Sequence, residues 1–266
     1  MRLGLIGDTH GAVPALTAAV AACRAAGADL LVHCGDFLST PFSPDPPGET
    51  IALLQREGVR CVVGNGERYL MDWGTPRWEE TMALRRARGD QPPDYFLPLV
   101  PAGQAELSAG DLAWLRSLPE ELVLDGARPG DVYVCHGMPG NPFNTVWPQS
   151  PIYDANVTEA MRRAALTRPA VAGADLILCG HAPGPYVAFA ELPNDRRPLV
   201  VRASGWPRQD DGVPRTSVAI LTPTPAGWEV LVRPVPFTPR DPTWTWDQPS
   251  RPAPPGQNYC LLPARD

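Results

Sequence analysis

Residues Met1–Gly11 read MRLGLIGDTHG, a strand that runs straight into a polar turn. Arg2–Gly7 is a short apolar run of the length expected for a buried strand. Asp8 and His10 follow it directly, between two glycines that predict a turn. Ligands of open α/β sheets bind beside the carboxyl ends of the strands, and Asp and His together offer oxygen and nitrogen ligands to a divalent ion. The stretch therefore predicts part of a metal site whose other ligands lie further along the chain.

The next two predicted strands also end in a glycine and a polar side chain. A helix predicted over Pro14–Ala26 separates the first strand from a second at Asp29–Cys34, which ends in Gly35-Asp36. After a helix near residues 50–57, a third strand at Arg60–Val63 ends in Gly64-Asn65. Strands that alternate with helices indicate parallel βαβ units, whose carboxyl ends share one edge of a sheet.

Two later strands carry the remaining histidines of this pattern. Asp131–Cys135 runs into His136-Gly137, and Ala174–Cys179 runs into Gly180-His181. Between them we predict a helix over Asn156–Thr167; an earlier helix over 108–118 begins with a capping-box-like pair, Ser and Asp three residues apart. Six metal-capable side chains are therefore expected at one edge: Asp8, His10, Asp36, Asn65, His136 and His181.

The rest of the chain suggests one domain over residues 1–237 with an insertion and a tail. Residues 69–103, rich in Trp, Arg and acidic side chains, are interpreted as a cap inserted over the site. Four extended runs are expected to form a second sheet packed on the first: Tyr186–Glu191, Leu199–Arg202, Arg215–Leu221 and Trp228–Pro234. Residues 238–266 are rich in Pro and Trp without a period, which predicts an extended tail.

Charge and composition exclude some classes of binding partner. The net charge of −6 argues against non-specific binding to nucleic acid or to an anionic membrane, both of which need a basic surface. No apolar run reaches the ~18 residues of a membrane span, and the first strand does not resemble a signal peptide, so we expect a cytoplasmic protein. The six cysteines form no CxxC pair and are expected to be reduced and structural.

In this order, the motifs D-x-H, GD, GN, HG and GH resemble those of the calcineurin-like metallophosphoesterase superfamily, and within it the small bacterial phosphodiesterase branch. The resemblance extends from Met1 to Phe237 and implies an α/β fold, a four-layer αββα sandwich of two mixed sheets. Three further segments support that branch: Trp114–Pro119, Ser204–Pro207 and Asp211–Arg215.

The resemblance also implies a dinuclear centre that hydrolyses phosphodiesters or phosphomonoesters. Asp36 matches the carboxylate that bridges two divalent ions; Asp8 and His10 match ligands of the first ion. The second ion is matched by Asn65, His136 and His181, and a hydroxide bridging the ions would be the nucleophile. Two ions held in this way activate water and stabilise both the attacking and the leaving oxygen. The mixed ligand set favours Mn²⁺, with Fe, Zn²⁺ or Ni²⁺ as alternatives. Asp36, Asn65 and His136 are the expected catalytic residues.

Two positions depart from the family pattern. Gly66 stands where the family usually has a His that assists the leaving group, which favours substrates with good leaving groups such as aryl or nucleotide-type diesters. Pro183 stands where a second His usually binds the first ion, so that ion is expected to bind weakly. These departures keep an alternative open, a catalytically weakened protein that uses the same fold as a scaffold or binding protein.

Substrate contacts are less specific in the sequence. Arg68 could grip a phosphate bidentately or lie solvated at the surface, and Asn141 follows His136 in a loop near the site. The Arg85–Arg88 segment is interpreted as a solvated helix face, and His33 as a hydrogen-bonded core residue. The expected partner is a small phosphate ester, with nucleotides among the candidates; a homo-oligomer is compatible with the sequence.

Overall fold

The computed structural model describes residues 1–38, 45–89, 97–125, 131–147, 157–182, 184–203, 208–210, 213–240 and 258–259. Within them the strands are β1 (Leu3–Ile6), β2 (Leu30–His33), β3 (Arg60–Cys61), β4 (Glu121–Leu124), β5 (Val132–Cys135), β6 (Leu176–Cys179), β7 (Tyr186–Phe189), β8 (Leu199–Arg202), β9 (Arg208–Asp210), β10 (Val213–Thr224), β11 (Gly227–Pro236) and β12 (Asn258–Tyr259). The helices are α1 (Val13–Ala25), α2 (Pro47–Arg56), α3 (Asn65–Asp72), α4 (Pro76–Arg88), α5 (Val100–Ala105), α6 (Ala109–Ser117), α7 (Glu159–Leu166) and α8 (Pro169–Gly173), with a 3₁₀ turn at Leu97–Leu99.

The first sheet is built around β1, whose four residues are all buried. Its strand order is β12-β11-β10-β1-β2-β3, with β9 beside β10. The strands β1, β2 and β3 are parallel, as the βαβ pattern predicts, whereas β10 runs antiparallel to β1 and pairs Leu221 with Leu3. Burial on both faces explains why β1 and β2 read as continuous apolar runs.

The second sheet has the order β4-β5-β6-β8-β7. Its strands β5, β6 and β8 are parallel, and β4 and β7 are antiparallel edges. The expectation that all four late runs form this sheet is wrong. Tyr186–Phe189 and Leu199–Arg202 belong to it, but Val213–Thr224 and Gly227–Pro236 join the first sheet, while β5 and β6 lie in the second. Local pattern shows that a run is a strand but not which strand it pairs with.

The layers confirm the predicted αββα sandwich. Between the sheets lies an apolar layer to which both contribute, with Leu5 and Val32 from the first sheet and Val134 and Leu178 from the second. Helices α1, α2 and α6 cover the outer face of the first sheet, and α7 and α8 cover that of the second. The parallel strands β1, β5 and β6 are therefore buried on both faces.

Several local predictions can be compared directly with the structure. Ser108 caps α6, since its Oγ accepts a hydrogen bond from the Asp111 amide (3.1 Å) while the Asp111 carboxylate accepts one from the Ser108 amide (3.0 Å). The five described cysteines are free and buried. Of the tail, Asn258–Tyr259 pairs with β11, and residues 241–257 and 260–266 lie outside the described residues. Among the described helices, none has the length and apolar character needed to cross a bilayer.

The two sheets approach each other closely where β1 ends. A Cβ built on Gly7 would overlap the backbone carbonyl oxygen of Ala203, which follows β8 in the second sheet. This close approach brings the ends of β1 and β8 together at the edge where the polar motifs lie. A glycine is needed there for lack of space, not for an unusual backbone conformation.

We expect Gly7→Ala to lower the free energy of unfolding by about 1–3 kcal/mol, because a methyl group must push the two sheets apart. Urea unfolding measures the change. Gly173→Ala is the matched control, since a Cβ there meets nothing within 4 Å, and it should not destabilise the protein. Equal stability of the Gly7→Ala variant and wild type would contradict this account of the sheet contact.

Candidate metal centre

All six predicted ligands lie together at the edge where the sheets meet. Each follows a strand end or begins a helix there, and all except the half-buried Asn65 are buried. The loops after β1 and β2 are joined by backbone hydrogen bonds from His10 to the Asp36 carbonyl (2.9 Å) and from Gly11 to the Phe37 carbonyl (2.8 Å). The ligands therefore come from both sheets, not from one sheet edge as the sequence suggested.

Four of the candidate ligands have left-handed backbone conformations. The φ angles are 49° at Asp8, 47° at His10, 52° at Asp36 and 68° at His181, and the one other described non-glycine residue with a positive φ is Asp195. A left-handed non-glycine residue costs of order 1–3 kcal/mol and persists only where its surroundings fix it. Such strain concentrated at the motif residues indicates that their side-chain directions serve a function.

The second-ion ligands predicted from sequence converge in the structure. Nε2 of His136 lies 3.0 Å from Oδ1 of Asn65 and 3.5 Å from Oδ2 of Asp36, and Nδ1 of His181 lies 2.8 Å from the Asn65 oxygen. The two imidazole nitrogens are 3.2 Å apart. Ligand bonds of about 2.0–2.1 Å in a tetrahedral shell place neighbouring ligand atoms about 3.3 Å apart. The four atoms therefore have the spacing of a ligand shell.

The hydrogen bond at Nδ1 of His136 directs its Nε2 toward this cluster. Nδ1 of His136 lies 2.6 Å from the carbonyl oxygen of Cys34, which can only accept, so Nδ1 donates a hydrogen bond to it. Such a bond to the far nitrogen is the usual means of orienting a metal-binding imidazole. The Asn65 oxygen faces acceptors only, and turning the amide would satisfy hydrogen bonds instead. The orientation with the oxygen inward is the one that a cation stabilises.

The first-ion ligands form a neighbouring cluster that shares Asp36. Ligand atoms of Asp8, His10 and Asp36 lie within 4.8 Å of one another, as do those of Asp36, His136 and His181. The Asp8 carboxylate is fully buried; Oδ1 accepts a hydrogen bond from the His181 amide (2.9 Å), whereas Oδ2 has no hydrogen-bond partner among the described residues. A buried carboxylate oxygen without a donor is costly, and a divalent cation would satisfy it.

Burial and mutual charge set the protonation of the cluster. Burial raises the pKa of Asp8 to about 8 and lowers those of His10 to about 4 and His181 to about 3. Burial alone would raise the pKa of Asp36 and lower that of His136, but the attraction between these two charged groups prevails. The charge of Asp36 raises the pKa of His136 to about 9, and His136 holds the pKa of Asp36 well below its usual range. Asp36 therefore stays a carboxylate in the metal-free cluster, and a cation bound at Nε2 of His136 would displace the proton held there.

Glu67 fixes the loops that carry Asp36 and Asn65. Its fully buried carboxylate accepts hydrogen bonds from the backbone amides of Asp36 (2.8 Å), Leu38 (2.7 Å) and Gly64 (2.7 Å). In sequence, Glu67 simply follows the Gly64-Asn65 motif. Its orienting role cannot be found from sequence, because two of the three amides, those of Asp36 and Leu38, lie about thirty residues away.

Gly66, the position of the first departure from the family pattern, is packed against Asp36. Its amide donates a hydrogen bond to Oδ1 of Asp36 (2.7 Å). A Cβ built on Gly66 would lie 2.9 Å from the carbonyl oxygen of Leu38 and 3.1 Å from Oδ1 of Asp36. Any larger residue at this position therefore needs the loop to shift, so the packing in this protein favours glycine here. Pro183, the second departure, lies outside the described residues.

His33 is a core residue beside the site, as the sequence predicts. It is fully buried, its Nε2 lies 3.1 Å from Oγ1 of Thr9, and its ring packs edge-on against Phe37. Burial, with the charge of His136 added, lowers the pKa of His33 to about 3. His33 thus supports the loop between Asp8 and His10 without entering the cluster.

The predicted substrate contacts are both engaged with other residues. Arg68 pairs with Asp72 and, at 3.4 Å, with Glu120. Nδ2 of Asn141 donates to Oδ1 of Asn144 (2.9 Å), and its Oδ1 accepts from the Phe143 amide (2.9 Å). A role for Arg68 and Asn141 in binding substrate remains a prediction.

The described part of the structure also contains a cleft of about 220 Å³. Helix α4 and the loop 140–144 line it, together with Arg68 and Glu120. Arg85, which the sequence suggested was solvated, is half-buried here: its guanidinium donates to the Tyr69 hydroxyl and lies 4.8 Å from the Phe143 ring centre. Arg86 and Arg88 are exposed, as predicted. Helical spacing alone did not distinguish Arg85, because its partner Phe143 is distant in sequence.

Comparison with known proteins identifies the family. The family model described as the calcineurin-like phosphoesterase superfamily domain matches residues 1–222, and the chain belongs to that family. Among solved structures, a hypothetical protein of Pyrococcus horikoshii OT3 is similar, with a TM-score of 0.63 and 18% identity over 89% of this chain and 88% of that one. A metallophosphoesterase from Sphaerobacter thermophilus has a TM-score of 0.54 and 22% identity over 90% of each chain. At these identities the likeness shows the fold. The comparison with curated proteins found no match.

Glu67→Gln tests the orienting role of the carboxylate. An amide turns one N–H toward backbone donors, so we expect a loss of about 1–3 kcal/mol in the free energy of unfolding. We also expect Mn²⁺ binding about 10–100-fold weaker, as when other groups that orient ligands are removed. Urea unfolding and Mn²⁺ titration measure both. The exposed Glu106→Gln is the control, and wild-type Mn²⁺ affinity in the Glu67→Gln variant would refute the assignment.

His33→Gln tests the buried neutral imidazole. In the unfolded chain His33 takes up a proton near pH 6.5, but in the folded protein only near pH 3. Its contribution to stability is therefore fully present above pH 6.5 and is lost as the pH falls. Between pH 6 and 4, metal-free wild type should lose about 1.4 kcal/mol per pH unit more than the variant. Urea unfolding at several pH values, with a chelator present, measures both slopes; parallel profiles would contradict the assignment.

Proposed function

We propose that this protein is a divalent-metal-dependent phosphoesterase that hydrolyses small phosphodiesters or phosphomonoesters. The observation that carries the proposal is a pair of buried ligand clusters that share the Asp36 carboxylate. A shared carboxylate between two sites is what a dinuclear centre requires, and the chain belongs to a phosphoesterase family. We assign Asp8, His10 and Asp36 to the first ion, and Asp36, Asn65, His136 and His181 to the second.

The chemistry would be divided between the ions and the protein. Two bound divalent ions supply Lewis-acid stabilisation of phosphoryl oxygens and lower the pKa of a bound water. The protein's own residues would hold the ions and orient their ligands. Asp36 is kept ionised beside His136, and the Cys34 carbonyl fixes the tautomer of His136 by accepting its Nδ1–H. Asn65 directs its amide oxygen toward the two imidazoles.

The missing side chain at Gly66 supports a preference among substrates. The family's His at this position is absent, and the packing of Gly66 against Leu38 and Asp36 leaves no space for one without a shift. With no imidazole there to protonate the leaving oxygen, hydrolysis depends on leaving groups that depart as weakly basic anions. We therefore propose aryl and nucleotide-type diesters as preferred substrates, and Mn²⁺ as the preferred ion from the mixed ligand set.

Metal content and turnover in variants of the ligands test the proposal. Because Asp36 belongs to both clusters, Asp36→Asn should weaken both ions, whereas His10→Ala should weaken only the first and His181→Ala only the second. Elemental analysis after dialysis against Mn²⁺ measures the occupancy. With bis(p-nitrophenyl) phosphate, Asp36→Asn should lower kcat/KM by more than about a hundredfold.

The exposed Asp125→Asn is the matched control and should leave metal content and turnover unchanged. Equal Mn²⁺ content in wild type and Asp36→Asn would refute the shared site. Metal binding without hydrolysis of mono- or diesters in wild type would refute the enzyme and favour the scaffold alternative.

A further inference from the structure

Four glycines, here called the motif glycines, stand next in the chain to candidate metal ligands. They are Gly35, Gly64, Gly137 and Gly180. Of these four, only Gly35 has a positive φ (86°), so the backbone conformation of the other three does not call for glycine. Glycine is also required where another part of the molecule approaches the backbone too closely for a side chain. The surroundings of the motif glycines therefore decide why glycine stands there.

Two of the motif glycines lie against carboxylates of other motifs. A Cβ built on Gly64 would lie 2.2 Å from Oδ1 of Asp36, and a Cβ on Gly180 would lie 2.8 Å from Oδ2 of Asp8. Both distances are well below the ~3.5 Å of an ordinary non-bonded contact. The space that a side chain would fill at these two positions is therefore occupied by a candidate ligand from a distant part of the chain.

The other two motif glycines lie against the imidazoles of the second cluster. A Cβ on Gly35 would lie 2.9 Å from Nδ1 of His136, and one on Gly137 would lie 3.3 Å from Cγ of His181. Backbone atoms are closer still at both positions; the Asn144 carbonyl oxygen, for instance, would be 2.2 Å from the Cβ on Gly137. A side chain at either position would therefore move a loop as well as an imidazole.

We propose that the motif glycines are positioning residues of the metal centre, each leaving the space that a candidate ligand of another motif occupies. The pairs are Gly64 with Asp36, Gly180 with Asp8, Gly35 with His136, and Gly137 with His181. This inference rests on the ion assignments of the proposed function and adds a dependence between the motifs. The ligand that a motif glycine positions is not the ligand beside it in the sequence.

Gly180 separates this dependence from the effect of neighbouring residues in the chain. It directly precedes His181, a proposed ligand of the second ion, but its missing side chain makes room for Asp8, a proposed ligand of the first. The next atoms that a Cβ would meet, the carbonyl oxygen and Cβ of Cys34, lie at 3.3 and 3.4 Å, so Asp8 would take most of the displacement. The Asp8 carboxylate is fully buried and its Oδ1 accepts a hydrogen bond from the His181 amide, so displacement changes the direction of Oδ2.

Gly180→Ala should therefore weaken the first ion and spare the second. Mn²⁺ titrations in two single-site proteins identify the ion affected. In His181→Ala, which should keep only the first ion, added Gly180→Ala should weaken Mn²⁺ binding about 10–100-fold, as when other groups that orient ligands are changed. In His10→Ala, which should keep only the second ion, the added change should leave Mn²⁺ affinity as it was. Gly173→Ala, whose Cβ meets nothing within 4 Å, is the matched control and should alter neither titration.

Two results of these titrations would overturn the inference. One is Mn²⁺ binding that Gly180→Ala changes in neither protein. The other is weakening of the second ion alone, which is the result expected if Gly180 acts only through its neighbour His181. Turnover is not needed for either reading. Mn²⁺ binding without hydrolysis of bis(p-nitrophenyl) phosphate would therefore refute the proposed function while the titrations still decide the role of Gly180.

A double-mutant cycle in the metal-free protein tests the space itself, and it decides the inference if wild type binds no Mn²⁺. With a chelator present, Gly180→Ala should lower the urea midpoint of wild type. The fall should be smaller in Asp8→Ala, where no carboxylate occupies the space of the new methyl group. Gly173→Ala should have the same effect in both proteins. Equal falls for Gly180→Ala in the two proteins would overturn the pairing of Gly180 with Asp8.

Discussion

The Asp36 carboxylate, buried where the two sheets meet, is the group on which the rest of the site depends. Every polar part of this residue is engaged: its amide donates to Glu67, its carbonyl accepts from His10, and Oδ1 accepts from Gly66. Oδ2 faces Nε2 of His136 at 3.5 Å. These contacts join the loops after β1, β2, β3 and β5. An ionised carboxylate is tolerated at this depth because the Gly66 amide and His136 both favour its charged form.

This arrangement holds several backbone residues in strained conformations. Asp36 holds a φ of 52°, and Asp8, His10 and His181 are also left-handed, each at a cost of order 1–3 kcal/mol. The surrounding hydrogen bonds and the contact between Gly7 and Ala203 over-determine the loops, so relaxation of one would require the others to move. The side-chain directions of these candidate ligands are therefore fixed in the metal-free protein, which would lower the cost of forming a ligand shell.

The sequence was informative where a residue's role follows from its own position in the chain. A glycine and a polar side chain after each strand predicted Asp8, Asp36, Asn65 and the other ligands, and the structure brings them together. It was uninformative where the role depends on distant partners. The apolar run 218–221 has the pattern of a strand that could belong to either sheet, and only its pairing with β1 places it in the first sheet. Glu67 and Arg85 have roles that appear only once distant amides and Phe143 surround them.

The proposed metal centre and the cleft lined by α4 lie on different parts of this fold. The proposed ligands sit on short loops at strand ends, fixed by backbone hydrogen bonds between the sheets. The cleft lined by α4 and the loop 140–144 lies on a helical segment with an apolar cluster of its own, formed by Tyr69, Trp78, Met82 and Val100. This cluster shares no residue with the core between the sheets, so exposed side chains on α4 can be changed without removing a contact of Asp36. On such a fold, the residues around the proposed metal centre and those on the helical segment can vary separately.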